Sequence, residues 1–179
     1  MKRRAILYVV DCEEKRFDGY QFREQLPFVP APLPTHITSE SDRGKRRADY
    51  SLYEALSLRL MLELNNHGGI AIEAATYASG NARHHLVMAS ERGGDADIWL
   101  AYLQNDPTEE CDFVLRALCA GTLDELPDLI RDKSDPDQPP RVTIINASAA
   151  SRLVAQRAGE FDVGEELDAR PIWLMPDVY

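Results

Sequence analysis

The chain has 179 residues, of which 44% are hydrophobic and 28% charged, and these proportions are typical of a globular protein with its own core. No run approaches the roughly 20 apolar residues that a membrane-spanning helix requires. The net charge of −10 disfavours contact with nucleic acid and with anionic membranes, so we expect a basic partner or none.

The charge is unevenly distributed along the chain. Residues 1–59 carry 11 Lys and Arg against 9 Asp and Glu, whereas residues 60–179 carry 9 against 21. Three cysteines, Cys12, Cys111 and Cys119, include no C-x-x-C pair, which predicts neither a disulfide framework nor a zinc site. The apolar run at 5–10 is too short for a signal-peptide core, so we expect a cytoplasmic protein.

The first 50 residues contain one regular element and one irregular segment. Apolar side chains fill both alternating faces of residues 4–12, which predicts a strand in the middle of a sheet. Residues 17–49 are predicted to form a long irregular loop that is rich in proline and basic residues. Its prolines remove backbone donors and forbid a continuous helix. They are Pro27, Pro30, Pro32 and Pro34.

A helix over residues 51–66 is the element around which we expect the rest of the chain to pack. Ser51 and Glu54 have the spacing of a capping box, in which each side chain bonds the other residue's backbone N–H. Gly68 or Gly69 can end the helix in the left-handed conformation. Leucines recur every four residues on its apolar face: Leu52, Leu56, Leu60 and Leu64.

Three strands are predicted next, at 70–77, 84–90 and 97–103. The turns between them are short, and short turns join antiparallel strands. Further along, helices are predicted at 108–120, 122–132 and 149–158, with strands at 141–147 and 171–175. Together these elements predict an α+β fold, a single domain over residues 1–179 whose helices pack on a mainly antiparallel sheet.

No stretch carries a catalytic or cofactor-binding motif, so we expect no catalytic residue, no metal site and no cofactor. His84 and His85 are adjacent in a predicted strand, where they point to opposite faces and cannot share a metal ion. Cys119 needs a base from elsewhere to act as a nucleophile. The glycines form neither a G-x-x-x-x-G-K nor a G-x-G-x-x-G phosphate loop.

The acidic stretch from 106 to 137 is the least ordinary feature, with ten carboxylates against three basic side chains. Two consecutive predicted helices there each present a carboxylate row, which either serves solubility or docks a basic groove. The candidate partner-binding residues are Asp106, Glu109, Glu110, Asp112, Asp124, Glu125, Asp128 and Asp132.

Three functions remain open from the sequence. The first is a non-enzymatic binding module or inhibitor with a basic protein partner, a class that includes nucleic-acid-binding proteins; bacterial immunity and phage anti-defence proteins use the same physics. The second is a small cytoplasmic enzyme with a site near the 17–49 loop, and the third is a subunit of a larger assembly. Direct nucleic-acid contact is expected, if at all, through Arg43, Lys45, Arg46 and Arg47.

Overall fold

The computed structural model describes residues 1–29, 50–105, 116–161 and 170–175. Within these ranges the chain forms seven α-helices, three strands and a short 3₁₀ helix at Ile172–Leu174. The helices are α1 (Arg3–Val10), α2 (Glu14–Phe22), α3 (Leu52–Asn66), α4 (Ile72–Gly80), α5 (Ala82–Gly93), α6 (Leu126–Lys133) and α7 (Ala147–Gly159). The strands are β1 (Trp99–Gln104), β2 (Arg116–Gly121) and β3 (Arg141–Asn146).

The three strands form one antiparallel sheet in the order β2-β1-β3. Trp99 lies opposite Gly121 on one side and Asn146 on the other. Since β2 and β3 both run antiparallel to β1, they are parallel to each other, and α6 is the crossover between them. The α+β class and the antiparallel sheet predicted from the sequence are therefore confirmed.

Helix α3 is the centre of the larger core and packs against α1, α4, α7 and β3. Leu56, Leu60 and Leu64 are fully buried, as the four-residue spacing predicts. The predicted capping box is present: the Glu54 N–H donates to Ser51 Oγ at 3.1 Å, and the Ser51 N–H donates to Glu54 Oε2 at 2.6 Å. This helix, predicted at 51–66, is confirmed.

Four predicted strands are wrong, because these segments are helical. Residues 4–10 lie in α1, whose buried residues Ala5, Ile6, Val9 and Val10 follow helical spacing. Residues 70–77 lie largely in α4, and residues 84–90 lie in α5. Residues 172–174 form the 3₁₀ helix in place of a strand at 171–175. Each run is short, and a short apolar run does not by itself distinguish a strand from a buried helix.

The remaining elements match the predictions unevenly. The strands at 97–103 and 141–147 and the helix at 149–158 are confirmed as β1, β3 and α7, with small shifts of their ends. The helix predicted at 108–120 is wrong over 116–120, which belong to β2, and residues 106–115 lie outside the described ranges. The helix predicted at 122–132 begins later, at Leu126.

The predicted loop at 17–49 begins later than expected, because α2 continues to Phe22. Residues 30–49 lie outside the described ranges, and the division of the chain into domains stays a prediction. None of the helices in the described ranges is long and apolar enough to cross a lipid bilayer.

Candidate functional site

Helix α6 belongs to the acidic stretch at 106–137 and packs on one face of β1 and β2. Leu126 is buried there among Ala101, Leu103 and Cys119, and Leu129 and Ile130 pack beside it. The other face of the sheet belongs to the larger core, through Leu100, Tyr102 and Ile145 among others. The apolar side of α6 is therefore used for packing, and its polar side is turned away from the sheet.

The outward side of α6 carries the predicted carboxylates. Asp124, Asp128 and Asp132 are exposed, whereas Glu125 is partly buried. Asp128 pairs with Arg131 one turn later, with 2.7 Å between Oδ1 and Nη2. Among the described residues no hydrogen bond or ion pair reaches the side chain of Asp124 or Asp132. These two side chains are available to an outside partner.

Glu125 has a structural role that the sequence analysis did not separate from the rest of the acidic row. Its Oε2 accepts a hydrogen bond from the Thr122 backbone N–H at 2.9 Å. Its Oε1 lies 3.6 Å from Arg92 Nε on α5. Glu125 thus fixes the turn between β2 and α6. Among the described residues that were predicted to bind a partner, it is the one whose side chain is turned inward.

The other half of the predicted site lies outside the described residues. This holds for Asp106, Glu109, Glu110 and Asp112, and also for the basic cluster Arg43, Lys45, Arg46 and Arg47. The acidic surface does continue past α6, into the turn that leads to β3. There Asp135 and Asp137 are exposed, and the Asp137 N–H donates to Asp135 Oδ1 at 2.9 Å.

An uncovered aliphatic strip on β3 adjoins this acidic surface. Val142 and Ile144 are 38% and 42% exposed. Val142 lies opposite Leu103 and Ile144 opposite Ala101, so both point to the face on which α6 packs. Helix α6 packs on β2 and β1, and the strip lies beyond it.

The sequence analysis predicted the β3 strand but missed its exposed strip. Residues 142–145 are β-branched at every position, so the alternation gives no sign of which face is open. The strip stays uncovered because α6 is shorter than the helix predicted at 122–132: its eight residues form about two turns, too little to cover three strands.

The outer edges of the two outer strands differ in what covers them. Helix α5 packs against β2, and Arg92 Nη2 donates to the Ala120 carbonyl at 3.0 Å. On β3, the backbone of residues 142–145 makes no hydrogen bond within the described part of the chain other than those to β1. On the β2 side a helix packs against the strand and donates to its backbone, whereas β3 presents an edge without such contacts among the described residues, next to the acidic surface.

The residues considered for catalysis are poorly placed for it. Burial raises the pKa of the Cys119 thiol, with Lys133 opposing the rise, so Cys119 is not an activated nucleophile. Burial is also the main cause of the lowered pKa of His85. His84 and His85 lie on α5 with ring centroids 5.8 Å apart, not on opposite faces of a strand. No group of three or more potential metal ligands occurs within the described ranges.

A cleft of about 570 Å³ lies elsewhere, where β1 begins and α7 packs. Three serine hydroxyls in its lining each accept a hydrogen bond: Ser148 from the Ile98 N–H, Ser151 from the Ile172 N–H, and Ser90 from the Trp173 indole. These bonds hold the 3₁₀ segment and the start of β1 against α7 and α5. The serines therefore have a structural role.

The chain matches no model of a known protein family, and a search of curated proteins finds no relative of it.

Proposed function

We propose that the protein is a non-enzymatic binding module, an inhibitor or adaptor that docks a basic protein partner through its acidic surface. This surface is defined by Asp124, Asp128, Asp132, Asp135 and Asp137. The observation that carries the proposal is that all five carboxylates are exposed, while the apolar side of α6 packs against the sheet.

Exposed carboxylates of one sign attract a basic partner at long range and speed the encounter more than they strengthen the final complex. The attraction is screened beyond about 8 Å at physiological ionic strength. Only Asp128 of the five is in an ion pair within the described residues, and the exposed Arg131 and Lys133 of α6 offset part of the charge, which leaves the surface negative. The proposal places the complex in the cytoplasm, where buried free thiols such as Cys12 and Cys119 persist.

The proposal is tested with a short synthetic peptide that carries a run of lysines, compared with the same peptide carrying serines. The protein variant is Asp128→Lys with Asp132→Lys, because both residues are exposed and lie on α6, Asp128 in its first turn. The matched control is Glu14→Lys with Glu24→Lys, which makes the same change in net charge on exposed positions of the N-terminal region.

We expect the lysine peptide to bind the wild type and the control, with an association rate that falls steeply as salt rises. We expect the reversed variant to lose this binding while its circular dichroism spectrum stays unchanged. Equal binding of the lysine and serine peptides, or equal loss in the variant and the control, would overturn the proposal and leave the carboxylates as a solubility feature.

A further inference from the structure

It is unusual for an edge strand such as β3 to be uncovered beside a charged surface. Unpaired backbone groups along an edge strand are a template for another strand, and proteins normally cover or charge them. Here the β2 side is covered by α5 and Arg92, whereas residues 142–145 of β3 have no such cover in the described part of the chain.

Apart from Arg141 at its start, the exposed side chains of this edge strand are apolar. Val142 and Ile144 stand two residues apart on the α6 face and are 38% and 42% exposed. A strand laid beside β3 presents its own side chains with the same period of two, so alternate apolar residues would cover both. The backbone pairing supplies affinity, and the alternate side chains supply selectivity.

We propose that the partner contributes an extended segment that pairs with β3 as a fourth strand, with alternating apolar residues over Val142 and Ile144 and a basic cluster at one end. The inference rests on the proposed function, since it assigns the way in which the basic partner is held. The basic cluster lies next to Asp135 and Asp137, which precede β3 in the chain, and next to the outward side of α6.

The charge of the protein favours this occupant over a second copy of the same chain. Each copy carries a net charge of −10, so two copies repel each other as the edges of their β3 strands approach. A six-residue strand also contributes a small contact area, and stable dimers bury about 1,200 Å² or more. The acidic surface attracts a basic segment, whereas it repels a second copy of the same acidic chain.

The test uses two sets of four synthetic peptides, and the four peptides of a set differ in two features. Each peptide of the first set has a segment of threonine alternating with either valine or serine, followed by a run of either lysines or serines. The second set carries the run before the alternating segment, because the partner strand can run in either direction along β3. Binding is measured by fluorescence anisotropy against the wild type and two variants.

The first variant is Val142→Thr with Ile144→Thr, which keeps the β-branched shape and removes the apolar surface. The second is Asp128→Lys with Asp132→Lys. We expect the valine–lysine peptide to bind the wild type best, and the threonine variant to raise its Kd about tenfold, through lost apolar contact. Backbone amides of 142–145 that point away from β1 should exchange more slowly with solvent when this peptide is bound.

The outcomes separate the two proposals. If the lysine run matters but valine and serine peptides bind alike, and the threonine variant binds as the wild type does, strand addition is overturned while the acidic docking surface stands. If the lysine run has no effect, the proposed function itself fails. Concentration-dependent dimers that the threonine variant abolishes would assign the edge to a second copy and overturn the inference.

Discussion

The carboxylate of Asp97 lies against the guanidinium of Arg152, whose Nη1 donates to Oδ1 at 2.6 Å and whose Nη2 donates to Oδ2 at 3.0 Å. Asn146 Nδ2 donates a further hydrogen bond to Oδ2 at 3.1 Å. Asp97 precedes β1 and Arg152 lies on α7, so the pair joins the central strand to the helix that follows β3. Arginine and carboxylate groups form their strongest contacts in this two-bond geometry.

The hydrogen bonds from Arg152, and then from Asn146, lower the pKa of Asp97 from 3.8 to about 2. Because the folded pKa lies below the ordinary value, the stabilisation is complete above about pH 4 and is lost as pH falls through about 2. We expect Arg152→Ala to raise the pKa of Asp97 towards its ordinary value, measured by carboxyl NMR titration. The loss in the free energy of unfolding should stay below about 1 kcal/mol, since the pair is largely exposed. An unchanged pKa would contradict the assignment.

Leu60 on α3 is fully buried in the larger core. We expect Leu60→Ala to lower the free energy of unfolding by about 2–5 kcal/mol, because it leaves a cavity as well as losing apolar contact. Leu123 is 58% exposed, so Leu123→Ala should change stability by about 0.5 kcal/mol or less. Urea denaturation measures both, and equal effects of the two substitutions would show that α3 is not the centre of the core.

Gly68 lies where the end of α3 passes close to β3. A Cβ at this position would come within 2.4 Å of Thr143 Cγ2 and within 2.6 Å of the Leu64 carbonyl oxygen. We expect Gly68→Ala to destabilise the fold by about 1–3 kcal/mol, because the Leu64 backbone has little freedom to move. A Cβ at Gly159 would meet no such neighbour within 4 Å in the described part of the chain, so Gly159→Ala is the control and should be neutral or stabilising. Thermal melts of the two variants that coincide would contradict this.

Cys12 and Cys119 are free and buried, and burial raises the pKa of both thiols. We expect both to react slowly with a disulfide reagent at neutral pH in the folded protein and rapidly in denaturant, since the thiolate is the reactive form. The measurement uses a Cys111→Ser background, because Cys111 lies outside the described residues. Fast reaction of both thiols without denaturant would show that the sites around α1 and α6 are open.

The sequence predicted best where several local signals agreed. At α3 the capping residues Ser51 and Glu54, the leucine spacing and the closing glycines all indicated one helix, and the structure has it. At α4 the prediction depended on alternation of Ile70, Ile72 and Ala74, but the buried residues are mostly alanines, which pack closely against α3. Alanine carries a weak apolar signal, so the helical period of this segment was hidden.

The candidate surface was predicted only in part for a related reason. The outward carboxylates of α6 follow from the charge pattern, since charged side chains remain at the surface unless they are paired. The inward turn of Glu125 depends on Thr122, three residues earlier, and on Arg92, which only the three-dimensional fold brings close. The open edge of β3 depends on which strands are neighbours, and the local sequence does not determine the strand order.

The crossover through α6 also sets an order of assembly. Strand β2 follows β1 along the chain, whereas β3 reaches β1 only after α6 has crossed the sheet. Contacts between residues close in sequence form faster, because less chain entropy is lost in closing the loop. We therefore expect the β1–β2 pair to form early during folding and β3 to join last. The strand that offers the open edge would then also be the last part of the sheet to become native after synthesis.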